Sequence, residues 1–438
     1  MKLHEECGVF ACSIKDNNAF NYIKYGLMML QHRGQESSGI SCGDKEYTTI
    51  KDKGLVSDVF KNVNPITGTF GIGHVRYSTQ GVSDKLHAQP FQINFYNEDI
   101  AIAHNGNISK QIISDIPTTT NSDTEIILKQ LIKDINKKPS EWTFEDITNS
   151  LYKNFKEGAW ALVIALPGRI IGVKDPNGYR PLIFCQADEG LFLASEDCAF
   201  NSLTINKIIE IQAGEYIEIT KNNYEIRKYY TPVKKNQCVF EHIYFANPSS
   251  VIFGKNVYET RVKLGKYMAR EDNIKADIVI PVMGSGLAAA IGYSEESKIP
   301  LHLGLKKNKI ERSFIQPTQE EREKITKEKY TLIRNVIKDK KIILIDDSIV
   351  RGTTTKYITK QLKESGAKEV HIRLSSPPII NTCFSGIDIP DKKELIFPKF
   401  NSEKKLAKFI NADSIKYISQ ESFNKIFNIK EFCNKCFM

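Results

Sequence analysis

The sequence predicts a two-part α/β chain, with layered sheets in the first half and a parallel sheet covered on both faces in the second. Three observations carry this. Short strand patterns and turn signals dominate as far as Tyr229. From Asp277 onward, apolar strand-length runs alternate with helix-length stretches. Between them, Tyr230–Gln237 (YTPVKKNQ) is polar and carries a proline, which marks a boundary. The total of 438 residues suits two or three domains.

In the first half, Ile100–His104 (IAIAH) reads as a strand running into Asn-Gly. Trp160–Ala165 and Arg169–Lys174 read as a hairpin across Pro167-Gly168, and Tyr216–Thr220 and Tyr224–Tyr229 as another across Asn222-Asn223. A helix follows Ser122, with Asp123 and Glu125 suited to its positive N-terminal end. Many strands with few helices imply sheets with helices outside.

In the second half, the expected strands are Asp277–Val282, Leu301–Leu305, Lys341–Ile345 and Val370–Leu374. The expected helices are Gly284–Ser297, a charged stretch from Glu320, and Thr353–Ser365. No internal repeat or low-complexity segment is evident.

The hydrophobic fraction of 41% and charged fraction of 26% are ordinary for a soluble globular chain. No run approaches the roughly 18 apolar residues that span a bilayer, and MKLHEECGVF lacks an apolar signal core. The expectation is a cytoplasmic protein with no membrane partner. The net charge of +9 fits polyanionic substrates or a plain lysine-rich surface. No basic patch is interleaved with aromatics, so nucleic acid is not an expected partner. The nine cysteines are scattered, which in a reducing compartment favours thiols, a nucleophile or metal ligands over disulfides.

Cys7 precedes Gly8, which leaves the approach to a sulfur open. If residues 1–6 are removed, Cys7 gains a free α-amine of pKa about 8, able to take the thiol proton and return it to a leaving group. On spacing alone, a lone cysteine near a terminus is more often a buried small side chain. Its context adds MKLHEECGVF, Gln31–Ile40 (QHRGQESSGI), Gly73–Gln80 (GHVRYSTQ), His104–Ile108 (HNGNI) and Asn121–Glu125 (NSDTE). In this order they resemble the glutaminase domain of class II glutamine amidotransferases, which are N-terminal-nucleophile hydrolases of αββα build. The resemblance implies that Cys7 attacks the glutamine amide. It implies that Arg76 grips the α-carboxylate, Asp123 the α-ammonium, and that Arg33 and Gly34 lie in the substrate-lining segment. Asn105 and the Gly106 N–H would form the oxyanion hole, donors of a kind worth about 3–4 kcal/mol each.

In Ile342–Thr355 (IILIDDSIVRGTTT) a buried strand ends in two carboxylates and passes through a small-residue loop into a helix. Such a loop offers N–H groups and hydroxyls to phosphate, though acidic pairs also occur in plain solvated turns. Asp346–Thr354 (DDSIVRGTT) resembles the phosphoribosyl pyrophosphate signature of type I phosphoribosyltransferases. It implies substrate contacts from Asp346, Asp347, Ser348, Ile349, Val350, Arg351, Gly352, Thr353 and Thr354, with Mg²⁺ near Ser285, Asp346 and Asp347. Asp277–Gly292 (DIVIPVMGSGLAAAIG) has a rival reading, because Gly284, Gly286 and Ala289 fit a dinucleotide fingerprint. The next strand leads into Lys306 and Lys307 where a nicotinamide enzyme needs an acid, so only an NADP version survives.

Cys238, Cys383, Cys433 and Cys436 are far apart except for the final C-x₂-C, a spacing that zinc or chance would both explain. Their contexts are Cys238–Asn247 (CVFEHIYFAN), Ser375–Asp388 (SSPPIINTCFSGID) and the tail FCNKCFM. With the two sites above, they resemble the amidophosphoribosyltransferase family, in the branch whose four cysteines hold a 4Fe–4S cluster. The resemblance implies a propeptide 1–6, a glutaminase domain 7–231 and a phosphoribosyltransferase domain 232–438. It also implies glutamine and phosphoribosyl pyrophosphate as substrates, purine nucleotides as inhibitors, and a homo-oligomer. Cys12 and Cys42 fall outside the ligand set. Two departures stand out: Met283-Gly284 replaces the family's Pro-Asp, and the loop Lys307–Phe314 (KNKIERSF), with Lys307 expected at the substrate, is about one residue short. They leave open a relative that aminates another phosphosugar or serves a pathway other than purine synthesis.

Overall fold

The computed structural model describes residues 7–77, 85–108, 116–120, 122–308, 330–383, 385 and 392–438. The first half folds as two stacked antiparallel sheets, one of seven strands and one of six. In the first sheet Gly8–Ile14 lies between Phe70–Arg76 and Gly190–Ala194. In the second, Glu98–Asn107 lies between Phe91–Phe95 and Ala159–Leu166.

Side-chain alternation explains the layering. On strand Gly8–Ile14, Phe10, Cys12 and Ile14 face helix Ala19–Met29, while Val9 and Ala11 face the other sheet. On Ala159–Leu166, Trp160, Leu162 and Ile164 meet helices Asp123–Ile135 and Phe144–Phe155, while Ala161, Val163 and Ala165 turn inward. Bulky residues therefore pack under the helices and small ones between the sheets. The result is the expected helix–sheet–sheet–helix order. Both predicted hairpins form, as Ala159–Leu166 with Arg169–Lys174 and as Glu215–Ile219 with Tyr224–Lys228. The predicted strand at Ile100–His104 runs further, through Asn105 and Gly106 to Asn107.

The second half holds a four-stranded parallel sheet made of Ile278–Pro281, Lys341–Asp346, Glu369–Leu374 and Ser414–Tyr417. Ile280, Leu344 and Ile372 face helices Thr353–Glu364 and Glu403–Ile410, while Val279, Ile343 and Ile345 face Val257–Arg270 and Gly286–Ser297. One buried cluster reaches from Phe10 and Cys12 through Val239, Phe240 and Phe245 to Ile343, so the two halves share a core.

Two expectations need correction. Leu301–Leu305 is not one strand. Leu301 makes a single parallel bridge to Val279, a tight turn from His302 to Gly304 breaks the run, and Leu305–Lys307 pairs with Tyr330–Leu332 instead. The helix expected from Gly284 starts at Gly286, because Gly284 has φ +106°, outside the helical region. The charged stretch expected from Glu320 lies largely outside the described residues.

The glycines behind the dinucleotide reading are used for packing. A Cβ on Gly286 would sit 2.5 Å from the Ile345 carbonyl oxygen, and one on Gly292 2.0 Å from that of Val262. Across the same helix pair, a Cβ on Gly265 would lie 1.9 Å from the Ala289 carbonyl oxygen. Gly265→Ala forces these helices apart and is expected to cost about 1–3 kcal/mol, the usual range for overpacking. Urea unfolding would show a lower midpoint at unchanged slope; an unchanged midpoint would contradict the close crossing.

Two candidate active sites and a cysteine cluster

Cys7 stands just before strand Gly8–Ile14, and Arg76 ends the neighbouring strand, in which Gly8 pairs with Val75. Register alone places Cys7 and Arg76 side by side. Cys7 is partly exposed, and its Sγ lies 3.8 Å from the Tyr77 carbonyl oxygen. Gly34 packs flat against this pair of strands: a Cβ there would sit 2.6 Å from the Arg76 carbonyl carbon.

The second sheet reaches the same end through polar contacts. His74 donates from Nε2 to the His104 carbonyl oxygen at 3.1 Å. Burial, with Arg76 next, lowers the His74 pKa to about 3, so the ring is neutral. The Ser195 hydroxyl accepts from the Val9 N–H at 3.0 Å and faces the Asn105 side-chain nitrogen at 3.5 Å. Asn105 Oδ1 is buried without a hydrogen-bond partner among the described residues. Gly106 sits at φ +146°, and a Cβ there would lie 2.0 Å from the Ala159 carbonyl oxygen, so only glycine fits.

Asp123 opens helix Asp123–Ile135, accepts from the Ile108 N–H at 3.2 Å, and lies 3.6 Å from His104 Nδ1. Burial opposes its ionisation, but His104 and the hydrogen bonds outweigh that and hold its pKa below the usual value. Cys7, Gly34, Arg76, Asn105, Gly106 and Asp123 thus gather at one end of the two sheets. Beside Arg76, 3.9 Å away, is Glu36, whose buried carboxylate oxygens have no hydrogen-bond partner among the described residues; sequence reasoning passed over it.

Arg33 lies directly behind Cys7. Its guanidinium is fully buried and spent on protein groups: Nε donates to the Cys7 carbonyl oxygen at 3.0 Å, and both terminal nitrogens fork onto Glu241 at 2.9 Å. Nη1 also reaches Glu196 at 2.5 Å. The side chain braces the Cys7 backbone.

In the second site, Asp346 ends its strand and Asp347 follows, each 1% exposed. Asp347 accepts from the hydroxyls of Ser285 and Ser348, the latter at 2.6 Å. Ile349 and Val350 anchor the loop in opposite apolar clusters, leaving backbone groups to face the small cleft lined by Asp346, Ser348, Gly352, Thr354 and Thr355. Gly352 turns at φ +77° into the helix that starts at Thr353. Lys307 Nζ lies 4.0 Å from where a Gly284 Cβ would be, so the lysine stands over the Met283-Gly284 loop. Arg351 is turned away onto Glu394 at 2.6 Å. Residues 309–314 of the expected closing loop lie outside the described residues. Arg261, which sequence reasoning also missed, is buried between the sites. Burial lowers its pKa to about 10, against the opposing charges of Asp347 and Glu196.

Of the four predicted cysteines, Cys238 and Cys433 are direct neighbours in a short parallel ladder. The Cys436 carbonyl oxygen accepts from the N–H groups of Ile380 and Asn381, drawing in the segment that carries Cys383. Burial and then Cys383 and Cys433 push the Cys436 thiol well up. Residues from three distant stretches thus converge on one place. Among the described residues, His32, Glu196 and Cys198 also form a metal-capable set within 4.8 Å. There Glu196 already binds His32, Arg33, the Asn247 N–H and the Ser250 hydroxyl.

Two family models match this chain. The one described as class II glutamine amidotransferases covers residues 48–164, and the phosphoribosyl transferase domain covers residues 263–375. Amidophosphoribosyltransferase of Methanocaldococcus jannaschii is 39% identical over 98% of this chain and 96% of its own length. That of Synechocystis is 39% identical over 100% of this chain and 90% of its own. The solved structure of glutamine phosphoribosylpyrophosphate amidotransferase from B. subtilis, complexed with ADP and GMP, is 36% identical, with TM-score 0.86 over 99% of this chain and 95% of its own. The two gathered sites and the full-length likeness agree, and the chain belongs to the amidophosphoribosyltransferase family.

Proposed function

We infer that the chain moves the amide nitrogen of glutamine to carbon 1 of phosphoribosyl pyrophosphate, giving 5-phosphoribosylamine, glutamate and pyrophosphate, the first committed step of purine nucleotide synthesis. The observation that carries this is the likeness over nearly the whole chain, together with both sites in one folded unit.

In this reading the Cys7 sulfur attacks the amide carbon, ammonia leaves, and water releases glutamate from the thioester. Arg76 holds the substrate carboxylate, a pairing its geometry favours, and Asp123 holds the ammonium. Asn105 and the Gly106 N–H take the oxyanion. Removal of residues 1–6 would leave the Cys7 amine as the base, at the start of a glutaminase domain 7–231 that is followed by a phosphoribosyltransferase domain 232–438. Ammonia then attacks carbon 1 of the phosphoribosyl group and pyrophosphate departs. The Ser348–Thr354 loop holds the 5-phosphate, and Asp346 and Asp347 the ribose. Mg²⁺ near Ser285, Asp346 and Asp347 would neutralise the pyrophosphate charge. Cys238, Cys383, Cys433 and Cys436 fit a 4Fe–4S cluster, which takes four thiolates and would clamp the C-terminus to the segment after Gln237. Purine nucleotides as inhibitors and a homo-oligomer belong to the same reading. No helix of the described residues is long and apolar enough to cross a membrane.

Three outcomes follow. Cys7→Ala abolishes glutamine-dependent pyrophosphate release and retains synthesis from ammonium salts, while intact mass of the active wild type starts at Cys7. Glutamine use by Cys7→Ala, or full activity in a chain that keeps Met1, would refute the nucleophile. Anaerobically purified protein contains iron and acid-labile sulfide in equal amounts, lost on replacing Cys433 but not Cys12; zinc without sulfide would count against the cluster. Asp347→Asn weakens Mg²⁺-dependent binding of phosphoribosyl pyrophosphate by calorimetry and spares basal glutaminase. If the wild type ignores this ligand at millimolar concentration and binds another phosphosugar, the acceptor is a different one.

A further inference from the structure

We propose that Glu241 is a positioning residue for the nucleophile Cys7, acting through Arg33, so that the glutamine site is complete only when the segment carrying Glu241 is docked against it. This rests on the reading of Cys7 given above.

A guanidinium is planar and rigid, so fixing two of its nitrogens fixes the direction of the third. Glu241 grips Nη1 and Nη2 of Arg33 at 2.9 Å each. The remaining Nε–H then points at the Cys7 carbonyl oxygen, 3.0 Å away. The side chains of Arg33, Glu196 and Glu241 are all 0% exposed, so no solvent can substitute for either carboxylate. Glu196 alone would leave the plane free to pivot, since it meets Nη1 only.

Glu241 is 208 residues from Arg33 and lies past the Tyr230–Gln237 boundary segment. Its place is set by its own surroundings. It opens a π-helical turn, Glu241–Phe245, and lies 3.6 Å from Arg180. Arg261 closes the turn, donating to the His242 carbonyl oxygen at 2.7 Å and to that of Ala246 at 2.9 Å. The His242 ring is wedged among Phe253, Phe427 and Phe432. The C-terminal part of the chain thereby determines where Glu241 stands, and through Arg33 where the Cys7 backbone stands.

The test compares Glu241→Gln and Glu241→Asp with the wild-type full chain, reading glutamine-dependent turnover, ammonia-dependent turnover and the rate of Cys7 alkylation by iodoacetamide. A misplacement of about 1 Å costs roughly 100-fold in rate. Glu241→Gln is expected to lose glutamine kcat on that scale, with a smaller change in glutamine KM, slower alkylation of Cys7 and retained ammonia-dependent turnover. Glu241→Asp, keeping the charge, recovers part of the loss. Unchanged glutamine kcat in Glu241→Gln overturns the proposal. So does an equal fall in both turnovers, which would give Glu241 a role in holding the fold alone. If the wild type itself releases no pyrophosphate from glutamine and phosphoribosyl pyrophosphate, the functional reading fails, a result distinct from any Glu241 outcome.

Discussion

The structure turns on a buried set of charges at the junction of its two halves. Arg33 and Arg180 face Glu196 and Glu241 with the carboxylates and guanidinium groups out of water. Two guanidinium groups face two carboxylates, and His32 also meets Glu196. Burying such a set is expensive, and its net contribution to stability is small or negative. Removing one member is another matter, costing about 3–5 kcal/mol through an uncompensated buried charge. Burial pushes the Glu196 pKa upward, yet His32 and Arg33 hold it far below the ordinary range. Its folded value being depressed, Glu196 contributes stability above the unfolded carboxylate pKa, and that contribution fades only in acid. The set therefore specifies how the halves dock more than it strengthens them.

Around this junction each site is built at strand ends. Gly8 paired with Val75 fixes Cys7 beside Arg76, and small inward residues such as Ala103 and Ala161 let the second sheet bring Asn105 close. In the parallel sheet, Ile345 buried beneath Gly286–Ser297 fixes the strand whose end presents Asp346 and Asp347. Glycines serve wherever backbones touch: Gly34 against Arg76, Gly106 against Ala159 and Gly265 against Ala289.

Much of this was legible in the sequence because it depends on local pattern. Hairpins at Pro167-Gly168 and Asn222-Asn223 and the buried strand before Asp346 each follow from a few neighbouring residues. The gathering of Cys7, Arg76, Asn105 and Asp123 was available only through ordered motifs, since no spacing rule ties four distant loops together. Leu301–Leu305 misled because its apolar alternation continues across a turn that only the packing of Gly304 on Ile280 reveals. The bracing role of the Arg33 side chain was hidden for a related reason. A charged residue in a substrate-lining motif reads as a ligand contact until its partner Glu241, distant in sequence, is seen. Glu196, Glu241 and Arg261 carry no local signal: an isolated acid or base in a sequence looks like surface.

One chain thus couples glutamine hydrolysis to amination of a phosphoribosyl group. The most direct measurement is the stoichiometry of glutamate and pyrophosphate released from glutamine, phosphoribosyl pyrophosphate and Mg²⁺. Equal amounts of the two when both substrates are present, with pyrophosphate release dependent on glutamine, are the result this account predicts. Glutamate accumulating with no pyrophosphate, or pyrophosphate released without any nitrogen donor, would contradict it.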